Sequence, residues 1–275
     1  MDDLSFATLA LLAGTLLATG FVTGVIAGLL GVGGGIVIVP VFYYVLPLIG
    51  VADSVTMHLA VGTSLATIIV TGASSARAHM KRGSVDTELL KRWWIPITAG
   101  VIVGGVTAGN ISGGMLTLVF GTVALLVALN MVLRKEGLGL AGSLPGAPLR
   151  ELLGIIIGGI SVMMGIGGGT LGVPIMTLFS YPIRQAVGTA SAIGLIIAIP
   201  GTLLAIYYGW GHPDLPPFSL GYVNLVAFLL IVPTSVYSAP IGAKLAHTLP
   251  PAKLRLVFAA FLFFTGARMI WDVFG

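Results

Sequence analysis

The sequence predicts an all-α polytopic membrane protein made of two inverted-topology repeats. Three features lead there: a shortage of charge, long uncharged runs, and a glycine pattern that occurs twice. Of 275 residues, 8% are charged and 57% hydrophobic, with 40 glycines, 15 prolines and no cysteine. Soluble domains carry about 25% charged residues, so the chain has roughly a third of the charge needed to cover a water-facing surface. Residues 4–52, 93–133, 152–183 and 215–243 contain no Asp, Glu, Lys or Arg, and runs of about 18 or more apolar residues read as membrane spans. These facts exclude a soluble enzyme, a disordered tail and a disulfide-stapled secreted domain. The net charge of +4 is no argument for nucleic acid, because the placement of the cations matters more than their sum. The start, Met1-Asp2-Asp3-Leu4, lacks the basic region of a cleavable signal peptide and reads as retained.

Ten apolar segments are expected, at about 5–31, 36–50, 57–80, 93–111, 114–134, 150–165, 170–181, 186–210, 220–243 and 253–274. Segments 36–50 and 170–181 are too short to cross: about twelve residues rise roughly 18 Å against about 30 Å of hydrocarbon. They read as half-helices, leaving about eight conventional spans. The positive-inside bias sets the orientation. The loop around 77–92 holds Arg77, Lys81, Arg82, Lys91 and Arg92 and is expected in the cytoplasm. Segments 93–111 and 114–134 go out and return to Arg134, Lys135 and Arg150; segment 186–210 leaves beside Arg184, and 220–243 returns to Lys244, Lys253 and Arg255. Of 13 cations only Arg268 then lies outside, with both termini. Segments 5–31 and 36–50 form a hairpin from the outer face, and 150–165 and 170–181 one from the inner face.

Residues 20–40, GFVTGVIAGLLGVGGGIVIVP, and 154–174, GIIIGGISVMMGIGGGTLGVP, share GxxxGxxxxxxGxGGGxxxxP without a gap. Ala60-Val61-Gly62-Thr63 then matches Ala186-Val187-Gly188-Thr189, and Leu118-Val119-Phe120 matches Leu256-Val257-Phe258. The organisation follows: a first repeat at 1–134, a cytoplasmic linker at 135–149 and a second repeat at 150–275. Each repeat is a Gly-broken hairpin plus three transmembrane helices. Five segments per repeat reverse the second relative to the first, so sequence and charge agree on inversion.

Inverted repeats with Gly/Pro-interrupted segments at matching positions are characteristic of secondary transporters. Each glycine costs about 1 kcal/mol in a helix interior relative to alanine, so GVGGG and GIGGG are expected to break the helix. Helices restarting between Gly35 and Pro40 and between Gly169 and Pro174 would aim free N–H groups and positive dipole ends inward, which suits an anion. Proline near a helix start removes a donor that would have been unpaired. The GxxxG spacings Gly100/Gly104 and Gly105/Gly109 are read as helix packing, and they also permit a homodimer.

The paired GxGGGxxxxP hairpins, each followed by A-V-G-T, resemble the TauE/SafE family over about residues 8–274. The resemblance implies a multi-pass protein of the bacterial cytoplasmic (inner) membrane that moves a small sulfur-containing anion, such as sulfite or an organosulfonate. It implies no single substrate.

The expected substrate-binding residues are Gly33, Gly34, Gly35, Gly167, Gly168 and Gly169 of the loops, with Thr63, Ser64, Thr189 and Ser191 at the starts of the following helices. Their hydroxyls suit an oxyanion, or equally bond to a carbonyl one turn earlier. His58 and Arg184 stand two residues before the matched alanines, as membrane-edge anchors or as attractors for an anion at the two faces. Arg77 and His79 are read as snorkelling at a helix end, Asn130 as bonding a neighbouring helix, and Met163 and Met164 as packing. Trp93, Trp94, Tyr207, Tyr208 and Trp210 are assigned to the interfacial aromatic belt.

No catalytic constellation, metal cluster or cofactor motif is present in the sequence, so an enzyme is not expected, nor a nucleic-acid partner; the partners are the anion and the lipid bilayer. Every acidic residue lies in a loop or at a segment end, whereas a proton- or cation-coupled carrier usually keeps an embedded carboxylate. The expected mechanism is therefore export of an anion by alternating access, driven by the membrane potential. Uptake coupled to Na⁺ or H⁺, and an anion channel, stand as the alternatives.

Overall fold

The computed structural model describes residues 6–30, 34–133, 142–245 and 251–275. Ten α-helices occur among them, one for each expected segment: α1 (Phe6–Leu30), α2 (Gly35–Val45), α3 (Asp53–Lys81), α4 (Thr87–Asn110), α5 (Gly113–Leu133), α6 (Leu149–Met163), α7 (Gly169–Leu178), α8 (Ile183–Gly209), α9 (Leu225–Leu245) and α10 (Pro251–Phe274). A 3₁₀ turn, Pro47–Ile49, follows α2, and two-residue strands Ser219–Leu220 (β1) and Val223–Asn224 (β2) pair antiparallel before α9. Among the described residues, five helices are long and apolar enough to cross a membrane: α3, α4, α5, α8 and the 256–274 part of α10. Helices α2 and α7, of 11 and 10 residues, rise only about 16 and 15 Å. The molecule is an all-α, multi-pass membrane protein.

Several boundaries and one side chain depart from expectation. Helix α3 starts at Asp53 rather than 57, so Thr63 and Ser64 lie about three turns into it, and α2 ends at Val45 rather than 50. Helix α4 begins six residues before 93, because Asp86 caps it by accepting the Leu89 N–H at 2.9 Å and lets a polar turn precede the apolar stretch. Helix α9 begins at Leu225 rather than 220, because the β1–β2 turn occupies 219–224. Helix α6 begins at Leu149, the last residue of the expected linker, of which 135–141 lie outside the described residues. Trp93 is not part of an aromatic belt. It is fully buried and donates its indole N–H to the Arg150 carbonyl at 3.0 Å, joining α4 to the start of α6. Trp94, Tyr207 and Trp210 are exposed, and Tyr208 is half-buried.

Lipid tails are as apolar as leucine, so membrane helices associate by close packing and hydrogen bonds rather than by the hydrophobic effect. Glycines set where that packing is closest. Helices α3 and α8 lie against each other at the centre; α1 runs along α9, α6 along α4, and α5 along α10. The contacts recur at matching positions. A Cβ on Gly24 of α1 would lie 2.2 Å from the Ser235 carbonyl oxygen of α9, and one on Gly158 of α6 would lie 2.2 Å from the Ile97 carbonyl of α4. Further along, Gly242 of α9 meets the Val25 carbonyl as Gly104 of α4 meets that of Gly159. The GxxxG glycines of the two hairpins, like Gly100 and Gly104, are thus helix-packing residues.

Crowding a well-packed contact costs about 1–3 kcal/mol. Gly24→Leu and Gly158→Leu are therefore expected to lower the thermal unfolding midpoint in detergent, by similar amounts. Gly14→Ala, which places its methyl in open space inside α1, is expected to raise the midpoint slightly, since alanine is favoured over glycine in a helix interior by about 1 kcal/mol.

Candidate substrate site at the glycine loops

The first loop ends at Gly34, whose φ of 77° and ψ of −13° are left-handed and which caps α2. A side chain there is disfavoured by about 1–2 kcal/mol from the backbone alone, and its Cβ would fall 2.2 Å from the Thr23 methyl. The Gly34 carbonyl receives the Val37 and Ile38 N–H groups at 3.0 and 3.3 Å, starting α2. In the second loop the left-handed residue is Gly165, with φ 65°. The Ile166 N–H bonds back to the Ser161 carbonyl at 3.0 Å as α6 ends, and the Gly172 N–H bonds to the Gly168 carbonyl at 2.8 Å as α7 starts. Gly168, the match of Gly34, is helical with φ −61°, whereas the match of Gly165, Gly31, lies outside the described residues.

The half-helices restart at Gly35 and Gly169, as expected, but the prolines do not sit where their missing donors are free. Pro40 and Pro174 are the sixth residues of α2 and α7, beyond the first four N–H groups that lack partners. Each removes an interior bond and leaves a first-turn carbonyl, that of Ile36 or Thr170, without its helical donor.

The loops converge. A Cβ on Gly35 would lie 2.4 Å from the Gly165 carbonyl oxygen and 2.8 Å from Ser64 Oγ. The Ser64 hydroxyl donates to that same Gly165 carbonyl at 2.6 Å, tying the second loop to α3. Gly168 rests on Ala190 and Ile193 of α8, and Gly194 of α8 faces Gly167 and Gly168. Gly34, Gly35, Gly167, Gly168, Gly169 and Ser64 are all buried. Among the described residues no Asp, Glu, Lys or Arg is buried. The central polarity is therefore supplied by hydroxyls, carbonyls and the N-termini of α2 and α7, of which the hydroxyls and the helix N-termini can attract an anion. Gly33 lies outside the described residues.

The A-V-G-T threonines do something else. Thr63 Oγ1 accepts the Asn224 backbone N–H, and Thr189 Oγ1 accepts that of Asp86, each at 2.9 Å. The glycines beside them, Gly62 and Gly188, admit the carbonyls of Tyr222 and Ser84, which a Cβ would meet at 2.1 and 2.3 Å. Asn224 and Asp86 in turn accept the Ala227 and Leu89 N–H groups at 2.9 Å, capping α9 and α4. Each A-V-G-T thus clamps a turn from the other half of the chain, Gly221-Tyr222-Val223-Asn224 or Gly83-Ser84-Val85-Asp86, whose glycines have φ of 54° and 65°. The shared pattern G-x-V-Asp/Asn was readable in the sequence but too short to stand out. Ser191 donates to the Val187 carbonyl at 3.0 Å and accepts from Ser75 at 3.1 Å, so its hydroxyl bonds within α8 and across to α3.

The remaining polar positions divide clearly. His58 is buried, not an edge anchor. Its Nε2 lies 3.1 Å from the carbonyls of both Ala108 and Ile111, and its ring stacks on Tyr222 with centroids 4.9 Å apart. With Tyr208, Tyr222, Gly109 and Val61 it lines a small apolar cavity, and the Val61 backbone also touches Gly165. Arg77 and Arg184 are exposed, Asn130 is half-buried, and His79 bonds Ser84 Oγ at 3.0 Å. At the Gly83–Asp86 turn, Tyr181 donates its hydroxyl to Asp86. Burial raises the Asp86 carboxyl, but hydrogen bonds from Tyr181 and the Leu89 and Glu88 N–H groups, with the Arg92 charge, hold it below its ordinary range. Burial first, and the Asp86 carboxylate second, push the Tyr181 phenol up.

The family model described as sulfite exporter TauE/SafE matches residues 16–269. The chain belongs to this family. A probable membrane transporter protein of Haemophilus influenzae is 37% identical over 255 residues, covering 92% of this chain and 96% of that protein. Probable membrane transporter proteins of Methanocaldococcus jannaschii and Bacillus subtilis are 27% and 25% identical, covering 94% of this chain and 96% and 97% of their own lengths. No solved structure matches the chain. As a TauE/SafE member the protein is a membrane transporter.

Asp86 favours its ionised form in the folded protein, so its contribution to stability is present above its unfolded pKa and fades as pH falls through the lower folded one. The acid limb of thermal stability, below about pH 4, is expected to flatten in Asp86→Asn. Thr63→Val and Thr189→Val strand a backbone N–H and are each expected to destabilise by about 1–3 kcal/mol, read by thermal unfolding in detergent.

Proposed function

We propose that this TauE/SafE member carries small sulfur oxyanions, sulfite or an organosulfonate, across the bacterial inner membrane by alternating access. The observation that carries the reading is the convergence of the two glycine loops, where Gly35 meets Gly165 beside the Ser64 hydroxyl and the N-termini of α2 and α7. Backbone released from helices in a bilayer must be buried in protein or face a polar cavity, and two such breaks at one place offer donors to an anion without a buried cation. The bound anion is taken to sit between the loops, with Gly33, Gly34, Gly35, Gly167, Gly168, Gly169 and Ser64 lining it.

The moving parts are two inverted repeats, residues 1–134 and 150–275, joined by the cytoplasmic linker 135–149. Two observations support inversion, the five-plus-five helix order and contacts that pair off between the halves, and they agree with the charge-based expectation that both termini lie outside. Helix α1 against α9 corresponds to α6 against α4, and Thr63 on Asn224 corresponds to Thr189 on Asp86. Rocking one repeat against the other then exposes the loops to each side in turn. An inside-negative potential expels an anion with about 2.3 kcal/mol per charge per 100 mV, so export needs no coupled ion.

The test is flux of sulfite, an organosulfonate and sulfate in proteoliposomes under imposed potentials of either sign. Saturable flux of sulfite or the organosulfonate that follows the potential without Na⁺ or a pH gradient is expected. Gly34→Leu and Gly168→Leu are expected to abolish it while leaving membrane insertion intact. Strict dependence on Na⁺ or protons contradicts the uncoupled mechanism, and normal flux in both variants removes the glycine loops from the site.

A further inference from the structure

Buried hydroxyls at both glycine loops have no hydrogen-bond partner among the described residues, and they bear on which anion the site accepts. This rests on the reading that the loops hold the substrate. Helical threonines in this protein habitually donate to a carbonyl one turn earlier: Thr19 to Thr15, Thr71 to Thr67, Thr117 to Gly113 and Thr177 to Val173. Thr23 does not. Its hydroxyl is unpartnered, its side chain is 0% exposed, and its methyl lies against Gly34, the cap of α2. Ser161, also 0% exposed and unpartnered, is the residue whose carbonyl takes the Ile166 N–H where α6 turns into the second loop. Thr170, 3% exposed and unpartnered, is the second residue of α7. Folded proteins leave few buried polar groups unsatisfied. Three of them lie at the two helix breaks: Thr23 against the cap of α2, Ser161 in the last turn of α6 and Thr170 in the first turn of α7.

We propose that Thr23, Ser161 and Thr170 donate to the oxygens of the bound anion, and that the site selects a singly charged sulfonate-type oxyanion over a dianion such as sulfate. The charge selection follows from what is missing around the hydroxyls. No Lys or Arg is buried among the described residues, so fixed dipoles alone meet the anion. The cost of taking an ion out of water grows with the square of its charge, whereas its attraction to fixed dipoles grows only in proportion. Doubling the charge therefore quadruples the loss and only doubles the gain. The three hydroxyls occupy non-matching positions in the two repeats, where Thr23 faces Ile157 in the alignment, Ser161 faces Ala27 and Thr170 faces Ile36. A comparison of repeats passes over them.

The experiment uses the full chain in proteoliposomes, with methanesulfonate and sulfate as the transported probes. Wild-type protein is expected to carry methanesulfonate and to discriminate against sulfate by about tenfold or more. Thr23→Val, Ser161→Ala and Thr170→Val are each expected to reduce methanesulfonate flux at subsaturating concentration by about tenfold. Thr23→Ser and Thr170→Ser retain it, and Thr71→Val, which alters a back-bonded threonine, is neutral. In detergent without ligand, the three hydroxyl-deleting variants are expected to be as stable as wild type or more so, since each removes an unpartnered polar group; a structural hydroxyl would give the opposite. Wild-type flux in these variants, or lowered ligand-free stability, overturns the ligand role of the hydroxyls. Sulfate carried as fast as methanesulfonate overturns the charge selection. Both results leave the glycine-loop reading standing, whereas flux of neither anion overturns that reading together with this inference.

Discussion

A bilayer offers no water to a broken backbone, and the architecture of this protein follows from that constraint. Hydrogen-bonding groups released by the two glycine loops must be satisfied or sheltered inside the protein. Helices α2 and α7, too short to cross, bring the loops to the middle of the molecule and lean on α3 and α8. Those two long helices pack on each other at the centre, and the surrounding pairs α1–α9, α4–α6 and α5–α10 close the sides. Glycine serves two ends in one chain. At Gly34 and Gly165 it permits a left-handed backbone, and at Gly24, Gly104, Gly158 and Gly242 it lets a neighbouring carbonyl approach.

The halves are held together by reciprocal clamps. Thr63 fastens the turn before α9, and Thr189 fastens the turn before α4. Because each clamp caps the helix it fastens, loosening a turn would also fray the start of α9 or α4. The clamps differ chemically: Asn224 caps one turn with a neutral amide, whereas Asp86 caps the other with a carboxylate that also receives the Tyr181 hydroxyl. The two halves of the chain are thus fastened by an ionisable group at one turn and a neutral one at the other.

Most of the fold was legible in the sequence because membrane helices announce themselves by length and absence of charge. All ten segments became helices, and the glycine runs marked both restarts. Boundaries moved where local turns decide them: Asp86 drew α4 back to Thr87, the β1–β2 turn pushed α9 forward to Leu225, and the 3₁₀ turn at Pro47–Ile49 ended α2 at Val45. The candidate site was half legible. Repetition singled out the glycine runs, and the structure brings the two loops together beside Ser64. Repetition also made Thr63 and Thr189 look like ligands, although the same matched positions serve the matched clamps. Thr23, Ser161 and Thr170 escaped notice because their partners in the other repeat are apolar. Trp93 escaped because a tryptophan at a segment end has the same sequence signature whether it meets lipid headgroups or the Arg150 carbonyl.

The central claim is that the two glycine hairpins reach one site from opposite faces of the membrane. The absence of cysteine allows a direct test with single cysteines and a membrane-impermeant maleimide applied to one side at a time. Leu48, just beyond α2, and Ile183, just beyond α7, are 75% and 59% exposed. The account predicts that Leu48→Cys is labelled only from outside and Ile183→Cys only from the cytoplasm. Labelling of both from the same side would make the repeats parallel and contradict a site shared between opposed hairpins.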